Sequence, residues 1–256
     1  MKAEDKLADP VAYLRQALAE NAFAVFCQPI CAIGKPLTYP MAEALVRLRE
    51  EEEALCPPGE FLPVLEHYGL MPQLDRWVSR QVLRHLASGA HPCFCVNLSG
   101  QTLADASFPA FLAKELTASG VPADRLLFEI DEPDALAEPA TTARFAAAVG
   151  ALGSGVIIDG LGRGADFVEP LKTPSLKYVK VCSGLTRLLT VAGPLDEEVR
   201  ALLQVTAGMG IKVIAECVED PAALVALYKR GVGFAQGFGV YQPHPIESCV
   251  ETHHGA

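Results

Sequence analysis

The sequence predicts an α/β fold, a TIM-type (β/α)8 barrel closed as one domain over residues 1–256. Short apolar, strand-like runs alternate with helix-like runs along the chain, which implies crossover connections and a mostly parallel sheet. About eight strands in ~250 residues is the size of one closed barrel. Polar residues recur near the C-terminal ends of the apolar runs, the rim where barrels of this kind keep their chemistry. An open doubly wound sheet is the structural alternative. No linker, low-complexity tract or second domain interrupts the rhythm.

The elements follow in order. "FAVFCQPI" (23–30) reads as a strand ended by its proline, and "LTYPMAEALVRL" (37–48) contains a second extended segment. "PGEFLPVLEHYG" and "QLDRWVSRQVLRHLASG" carry apolar residues at three- and four-residue spacing and read as helices, the latter ending at Gly89. "CFCVNLS" (93–99) is a strand, "FPAFLAKELTASG" a helix closed by Gly120, "LLFEI" (126–130) a strand and "TARFAAAVGALG" a helix. The second half repeats this. "GVIID", "LKYVKV" (176–181), "KVIAECV" (212–218) and "GFAQGFGV" read as strands, with "LDEEVRALLQVTAGMG" and "PAALVALYKRG" as helices.

Composition narrows the function. Half the residues are apolar and 20% are charged, so a sizeable core is expected. A net charge of −10 argues against a duplex nucleic-acid surface, which needs a basic field. It leaves room for a small anionic ligand held by a metal and local donors. The eight cysteines form no CxxC pair and read as reduced, buried thiols of a cytoplasmic protein. "MKAEDKLADP" lacks the apolar core of a signal peptide. "FAAAVGALGSGVII" is shorter than the ~20 residues of a membrane span. The tail "ETHHGA" is expected to fray.

The polar residues at the strand ends carry most of the functional signal. Glu43, Asn97, Glu129, Asp159, Lys180, Glu216 and Gln236 each sit in an otherwise apolar run. In a parallel barrel they converge at one mouth. Packing alone is a poor explanation, because burying unpaired charge costs several kcal/mol. Four carboxylates and an amide are hard oxygen ligands suited to Mg²⁺, Mn²⁺ or Ca²⁺. The six histidines (67, 85, 91, 244, 253 and 254) lie in helix-like, loop or terminal segments, which argues against a His-rich zinc site. Lys180 among acids stays charged and can hold a water or an anionic oxygen. Arg47, four residues after Glu43, reads either as a phosphate-binding fork or as a solvated surface arginine. Acids, metal, lysine and arginine together describe a phosphate-ester site.

"GLGRGA" after the run "VIID" has the look of a phosphate-cradling loop, but its G-x-G-x-G spacing fits neither the dinucleotide fingerprint nor the P-loop. No nucleophile elbow supports a serine hydrolase.

At this point the motifs, taken together, resemble the EAL domain, the bacterial hydrolase and receptor module for cyclic di-GMP. "EALVR", Glu43 to Arg47, matches the signature Glu-x-Leu-x-Arg. "FCQPI", "GEFLPVLEHYGL", "LDRWV", "VNLS", "FEIDE", "VKV", "VIAECVE" and "AQGF" follow in family order, so the resemblance covers about residues 11–247. It implies a barrel with one antiparallel strand. It implies that Glu43, Asn97, Glu129 and Asp159 hold a first divalent metal (Mg²⁺ or Mn²⁺, with Ca²⁺ inhibitory or supporting binding only). Lys180 would contact the attacking water, Glu216 would serve a second metal, and Glu219 would brace the loop after Asp159. Gln28, Leu45, Arg47 and Gln236 would contact cyclic di-GMP. A homodimer or a signalling partner protein is compatible with such a role.

Two departures stand out. The family loop reads Asp-Asp-Phe-Gly-Thr-Gly, whereas here it is Asp159, Gly160, Leu161, Gly162, Arg163, Gly164. Gly160 removes a carboxylate that the resemblance assigns to the second metal, and Cys182 stands where the family has another Asp. Losing one charge-stabilising contact commonly costs ~3–4 kcal/mol, about two to three decades in rate. Asp166 is a candidate replacement ligand, or else a helix N-cap for "FVEPLK". The expectation is a cyclic di-GMP receptor or signalling module with weak or no hydrolysis. The alternatives are an active phosphodiesterase giving linear pGpG and a nucleotide-independent protein-interaction module.

Overall fold

A computed structural model describes residues 9–49, 55–89, 92–164 and 167–249. Most of the segment read as lacking a signal peptide, the tail, His91 and Asp166 lie outside the described residues. The strands are β1 (Phe23–Ala32), β2 (Thr38–Arg49), β3 (Leu55–Cys56), β4 (Cys93–Leu98), β5 (Leu126–Asp131), β6 (Gly155–Leu161), β7 (Leu176–Val181), β8 (Lys212–Ala215), β9 (Phe234–Ala235) and β10 (His244–Pro245).

Strands β2, β4, β5, β6, β7, β8 and β9 pair in parallel in that order. β1 closes the ring, antiparallel to both β2 and β9. This is the eight-stranded barrel with one reversed strand, and closure rules out the open sheet. β3 and β10 are two-residue additions on β2 and β1. Among the described residues no helix is long and apolar enough to cross a membrane.

The sheet separates two apolar regions, because successive side chains of a strand point to opposite faces. The larger lies between the barrel wall and the helices, with Phe61, Leu74, Phe94, Phe108, Phe128 and Val156 among its buried residues. The smaller fills the lumen. Ile30, Met41, Cys95, Leu127, Ile157 and Ile214 are buried there, with Tyr178 and Phe234 packed against them. Each of the eight barrel strands thus donates at least one side chain to this apolar plug, and β4 donates two, Cys93 and Cys95.

The structure departs from the sequence reading in a few places. β1 runs through Pro29, which stays in register opposite Ala42, to Ala32, with a register irregularity between Ile30 and Ala32. β8 stops at Ala215 rather than Val218, because Cys217 adopts a left-handed φ of 55°. The last strand keeps only Phe234 and Ala235 of "GFAQGFGV". Glu43 lies in the middle of β2, since that strand continues to Arg49 along β1. The sequence reading missed the helices Pro10–Ala19, Glu132–Ala137 and Ser183–Thr190. The first is started by Asp9, whose carboxylate accepts from the backbone N–H of Val11 and Ala12. The buried thiols Cys27 and Cys249 come within 4.8 Å of each other and of His244.

Candidate active site at the barrel mouth

The mouth follows from the lumen by a single step of two residues. On β2, β4, β5, β6 and β7 the plug residues Met41, Cys95, Leu127, Ile157 and Tyr178 are followed by Glu43, Asn97, Glu129, Asp159 and Lys180. Ile214 and Phe234 are followed by Glu216 and Gln236, just past β8 and β9. On β1, which runs the other way, Ile30 is preceded by Gln28. Period-two alternation therefore lays eight polar side chains on top of eight apolar ones.

Lys180 is the centre of this layer. Its side chain is fully buried, and Nζ donates to Glu43 Oε2 at 2.7 Å and to Glu129 Oε2 at 2.6 Å. Asn97 Nδ2 donates to Glu43 Oε1, and Gln236 Nε2 to Glu43 Oε2, both at 2.8 Å. Gln236 also donates to Gln28 Oε1, and Gln28 Nε2 donates to the carbonyl of Tyr241. Burial opposes charge on Glu43, but the Lys180 ammonium and three donated hydrogen bonds win and hold its carboxyl below the usual range. Burial, reinforced by the charges of Glu43 and Asp159, pushes Glu129 up to about 8 against the pull of Lys180. Lys180 is held firmly charged by Glu129, Glu43 and Asp159, despite its burial. The cluster thus keeps one ionised carboxylate on the ammonium and retains a proton beside it.

Asp159 and Glu216 form the neighbouring pair. Burial and the Asp159 charge raise Glu216 to about 8, and the two carboxyls share a hydrogen bond. Three oxygens of the layer, Asp159 Oδ1, Glu129 Oε1 and the Gln236 amide Oε1, are buried without a hydrogen-bond partner among the described residues. Orphaned carboxylate oxygens are costly, and beside an amide and further carboxylates they form a hard, anionic donor set. By the chemistry of their donors Glu43, Asn97, Glu129 and Asp159 suit one divalent oxygen-seeking cation, although the three carboxylates do not reach the 4.8 Å mutual spacing that Cys27, His244 and Cys249 do.

The loop after β6 departs from that fit. The ladder to β7 slips between Ile158 and Leu161, and Gly160 takes a left-handed φ of 70°. A Cβ at Gly160 would lie 2.4 Å from Cζ and 2.7 Å from Nη2 of Arg163. Arg163 Nη1 donates to Asp131 Oδ1. The loop itself is held by the buried carboxylate of Glu132, which accepts from the backbone N–H of Gly162, Arg163 and Gly164 at 3.1, 2.9 and 2.8 Å. Among the described residues this bracing belongs to Glu132. Glu219, expected to brace the same loop, is exposed beyond Cys217 and makes no hydrogen bond to its described residues. Sequence reasoning missed Glu132 and Arg163, although the motif "FEIDE" contains the first and the glycine loop the second.

The residues expected to touch a ligand divide into two groups. Gln28 and Gln236 are buried beside Glu43; Gln236 donates to its carboxylate, and Gln28 accepts from Gln236. Leu45 lies next to the acidic layer and lines a cavity of about 340 Å³ with Val46, Leu62, Met71, Asp75 and Asn97. Arg47, two residues further on the same face of β2, is partly exposed. Its guanidinium lies 5.8 Å over the Phe26 ring, with Nη1 on the Val46 carbonyl. Gly237 closes the far side: a Cβ there would meet the Val218 backbone at 2.3 Å, so only glycine lets the segment after Gln236 lie against the Glu216 turn.

Comparison with known proteins bears on this arrangement. The EAL domain profile matches residues 11–243. Cyclic di-GMP phosphodiesterase PdeB of Shewanella oneidensis is 27% identical over 242 residues, covering 93% of this chain and 28% of that protein. Cyclic di-GMP phosphodiesterase PdeF of Escherichia coli is 29% identical over 255 residues, covering 96% of this chain and 34% of that protein. The chain thus spans about a third of the length of these curated relatives. Among solved structures, the FimX EAL domain from Pseudomonas aeruginosa bound to c-di-GMP superposes with a TM-score of 0.83 at 25% identity, covering 92% of this chain and 96% of that one. The PaMucR phosphodiesterase in complex with c-di-GMP gives a TM-score of 0.80 at 26% identity over 92% and 97% of the two chains.

Proposed function

This chain belongs to the EAL domain family, and from that premise we propose that it binds cyclic di-GMP with one divalent cation at the barrel mouth and hydrolyses it weakly or not at all. The observation that carries the reading is the contrast inside the acidic layer. Glu43, Asn97, Glu129 and Lys180 are present and interlocked by hydrogen bonds, with the Asp159 charge in reach of Lys180. The carboxylates that the family places at 160 and 182 are a glycine and a cysteine.

Glu43, Asn97, Glu129 and Asp159 would hold Mg²⁺ or Mn²⁺, with Ca²⁺ supporting binding only. The bound cation would supply positive charge to the phosphodiester oxygens and lower the pKa of a coordinated water. Lys180 keeps Glu43 ionised and points its ammonium into the layer, where it can hold an anionic oxygen or a water. Gln236 fixes the Glu43 carboxylate by a hydrogen bond, and Gln28 accepts a second hydrogen bond from the same Gln236 amide. Arg47 and the Leu45 cavity offer a charged fork and an apolar wall to a dinucleotide. Burial and the Asp159 charge raise the Glu216 carboxyl, so an incoming cation must expel its proton.

A second reading, an active phosphodiesterase giving linear pGpG, is favoured by the retained Lys180 and Glu216. A third, a protein-interaction module, has only the family's signalling context behind it. Calorimetry with cyclic di-GMP and Ca²⁺, followed by incubation with Mg²⁺ or Mn²⁺, separates them. The proposal expects binding with turnover about two to three decades below a normal phosphodiesterase. Rapid conversion to linear product would establish the second reading, and absence of binding would leave the third.

A further inference from the structure

We propose that Arg163 occupies the place of a second cation in this barrel, so that the mouth takes one divalent ion and presents a guanidinium to the ligand's phosphodiester instead of a second ion. The inference rests on the cyclic di-GMP reading for its ligand, but not for its ion count.

Four observations converge on it. First, the guanidinium lies over Gly160: a side chain there would meet Cζ, Nε and Nη2 at 2.4–2.7 Å. The missing carboxylate and the arginine therefore claim one volume, and each explains the other. Second, the charge that stabilises Arg163 comes from Asp131, then Asp159 and Glu216, with Cys182 also in reach. Of the two positions where the chain departs from its family, Gly160 lies against the guanidinium and Cys182 is within its electrostatic reach. Third, Arg163 is held in place. Its backbone N–H is one of three that Glu132 accepts, and Nη1 is tethered to Asp131. Fourth, the acids around it leave a charge unanswered, since Asp159 Oδ1 is buried without a hydrogen-bond partner among the described residues. A guanidinium within electrostatic reach supplies positive charge there at any working pH, as it does not deprotonate. With Nη1 on Asp131, Nε and Nη2 face Gly160, and a planar fork matches the two non-bridging oxygens of a phosphodiester. It cannot ionise a water, which is why this site should retain anion binding and lose turnover.

The test counts ions before any nucleotide is added. Manganese is titrated calorimetrically into the wild-type chain, Arg163→Ala, and the double variant Gly160→Asp with Arg163→Thr. The double change is used because the arginine head is movable and a lone aspartate could push it aside. Expected are one tight ion per wild-type chain and two per double variant. Two ions of comparable affinity in the wild type, or one in the double variant with its first site intact, would overturn the inference. Cyclic di-GMP is then titrated with Ca²⁺ saturating. Arg163→Ala should weaken binding about tenfold or more, with Arg163→Lys between, since one charge-assisted contact is of that order. Unchanged affinity in Arg163→Ala, with first-site Mn²⁺ binding and the thermal melt preserved, would show that the guanidinium does not touch the ligand. If the wild type binds Mn²⁺ singly but no nucleotide, the cyclic di-GMP reading fails and the ion count stands.

Discussion

The two halves of the barrel mouth solve the same electrostatic problem differently. On the β2–β5–β7 side a buried lysine is clamped between Glu43 and Glu129, and two amides complete the shell of Glu43. On the β6–β8 side two carboxyls meet with no buried lysine of their own, and the positive charge arrives from a loop arginine that is half exposed. The first half is built into the strands. The second depends on a glycine-rich loop hung on Glu132. The strand interiors therefore keep the family's residues, and the departures fall at the ends of β6 and β7, at Gly160 and Cys182. An ion-binding surface can thus lose one of its functions while the other stays locked in the core.

The sharpest way to break this comparison is to remove the strand-built cation. Lys180→Met leaves Glu43 and Glu129 buried without their partner. It should cost about 3–5 kcal/mol of stability, read by urea denaturation. The cost should grow with pH. Glu129, with its pKa raised to about 8, is neutral in acid and favours the fold there. That contribution is lost as pH rises through 8 and the acid must ionise. A loss that is small and flat with pH would mean that Lys180 is not the keystone of the layer.

Ion affinity should respond to the same protons with the opposite sign. Below about pH 8 Glu129 and Glu216 carry protons that an incoming cation must expel. Mn²⁺ affinity should therefore rise by up to about tenfold per pH unit between pH 6 and 8 for each proton released, then level off. Calorimetry in buffers of different ionisation enthalpy counts the protons, and a pH-independent affinity would contradict the charge assignment.

The loop-built half should break more cheaply. Glu132→Ala strips three backbone N–H groups of their acceptor and should cost about 1–3 kcal/mol, because the released donors reach water. It should also speed amide exchange in residues 162–164 without altering exchange in β7. Equal protection before and after would show that the loop does not need its brace. The smallest effect belongs to Asp131→Asn. Its pair with Arg163 is about half exposed on both sides, so its removal should change stability by about 0–1 kcal/mol. Together these two variants rank the tethers that hold the guanidinium.

What the sequence could reveal followed from periodicity. Seven of the eight mouth residues stood out as lone polar side chains in apolar runs, because a strand shows its two faces in alternation. Gln28 needed the family motif, since β1 runs backwards and its polar residue sits near the strand's centre. Glu132 and Arg163 were not legible. One accepts from backbone N–H groups of a distant loop, the other reaches back over a glycine three residues earlier, and neither contact has a periodic signature. β8 and β9 were overread for a related reason: their apolar runs continue, but the left-handed Cys217 and the close approach at Gly237 turn the backbone out of the sheet.

The most direct measurement is a crystal structure of the chain with Mn²⁺ and cyclic di-GMP, with manganese located by its anomalous scattering. One peak bounded by Glu43, Asn97, Glu129 and Asp159, with Arg163 on a phosphate oxygen beside Glu216, is the result expected. Two peaks, with the guanidinium turned out to solvent, would contradict the account.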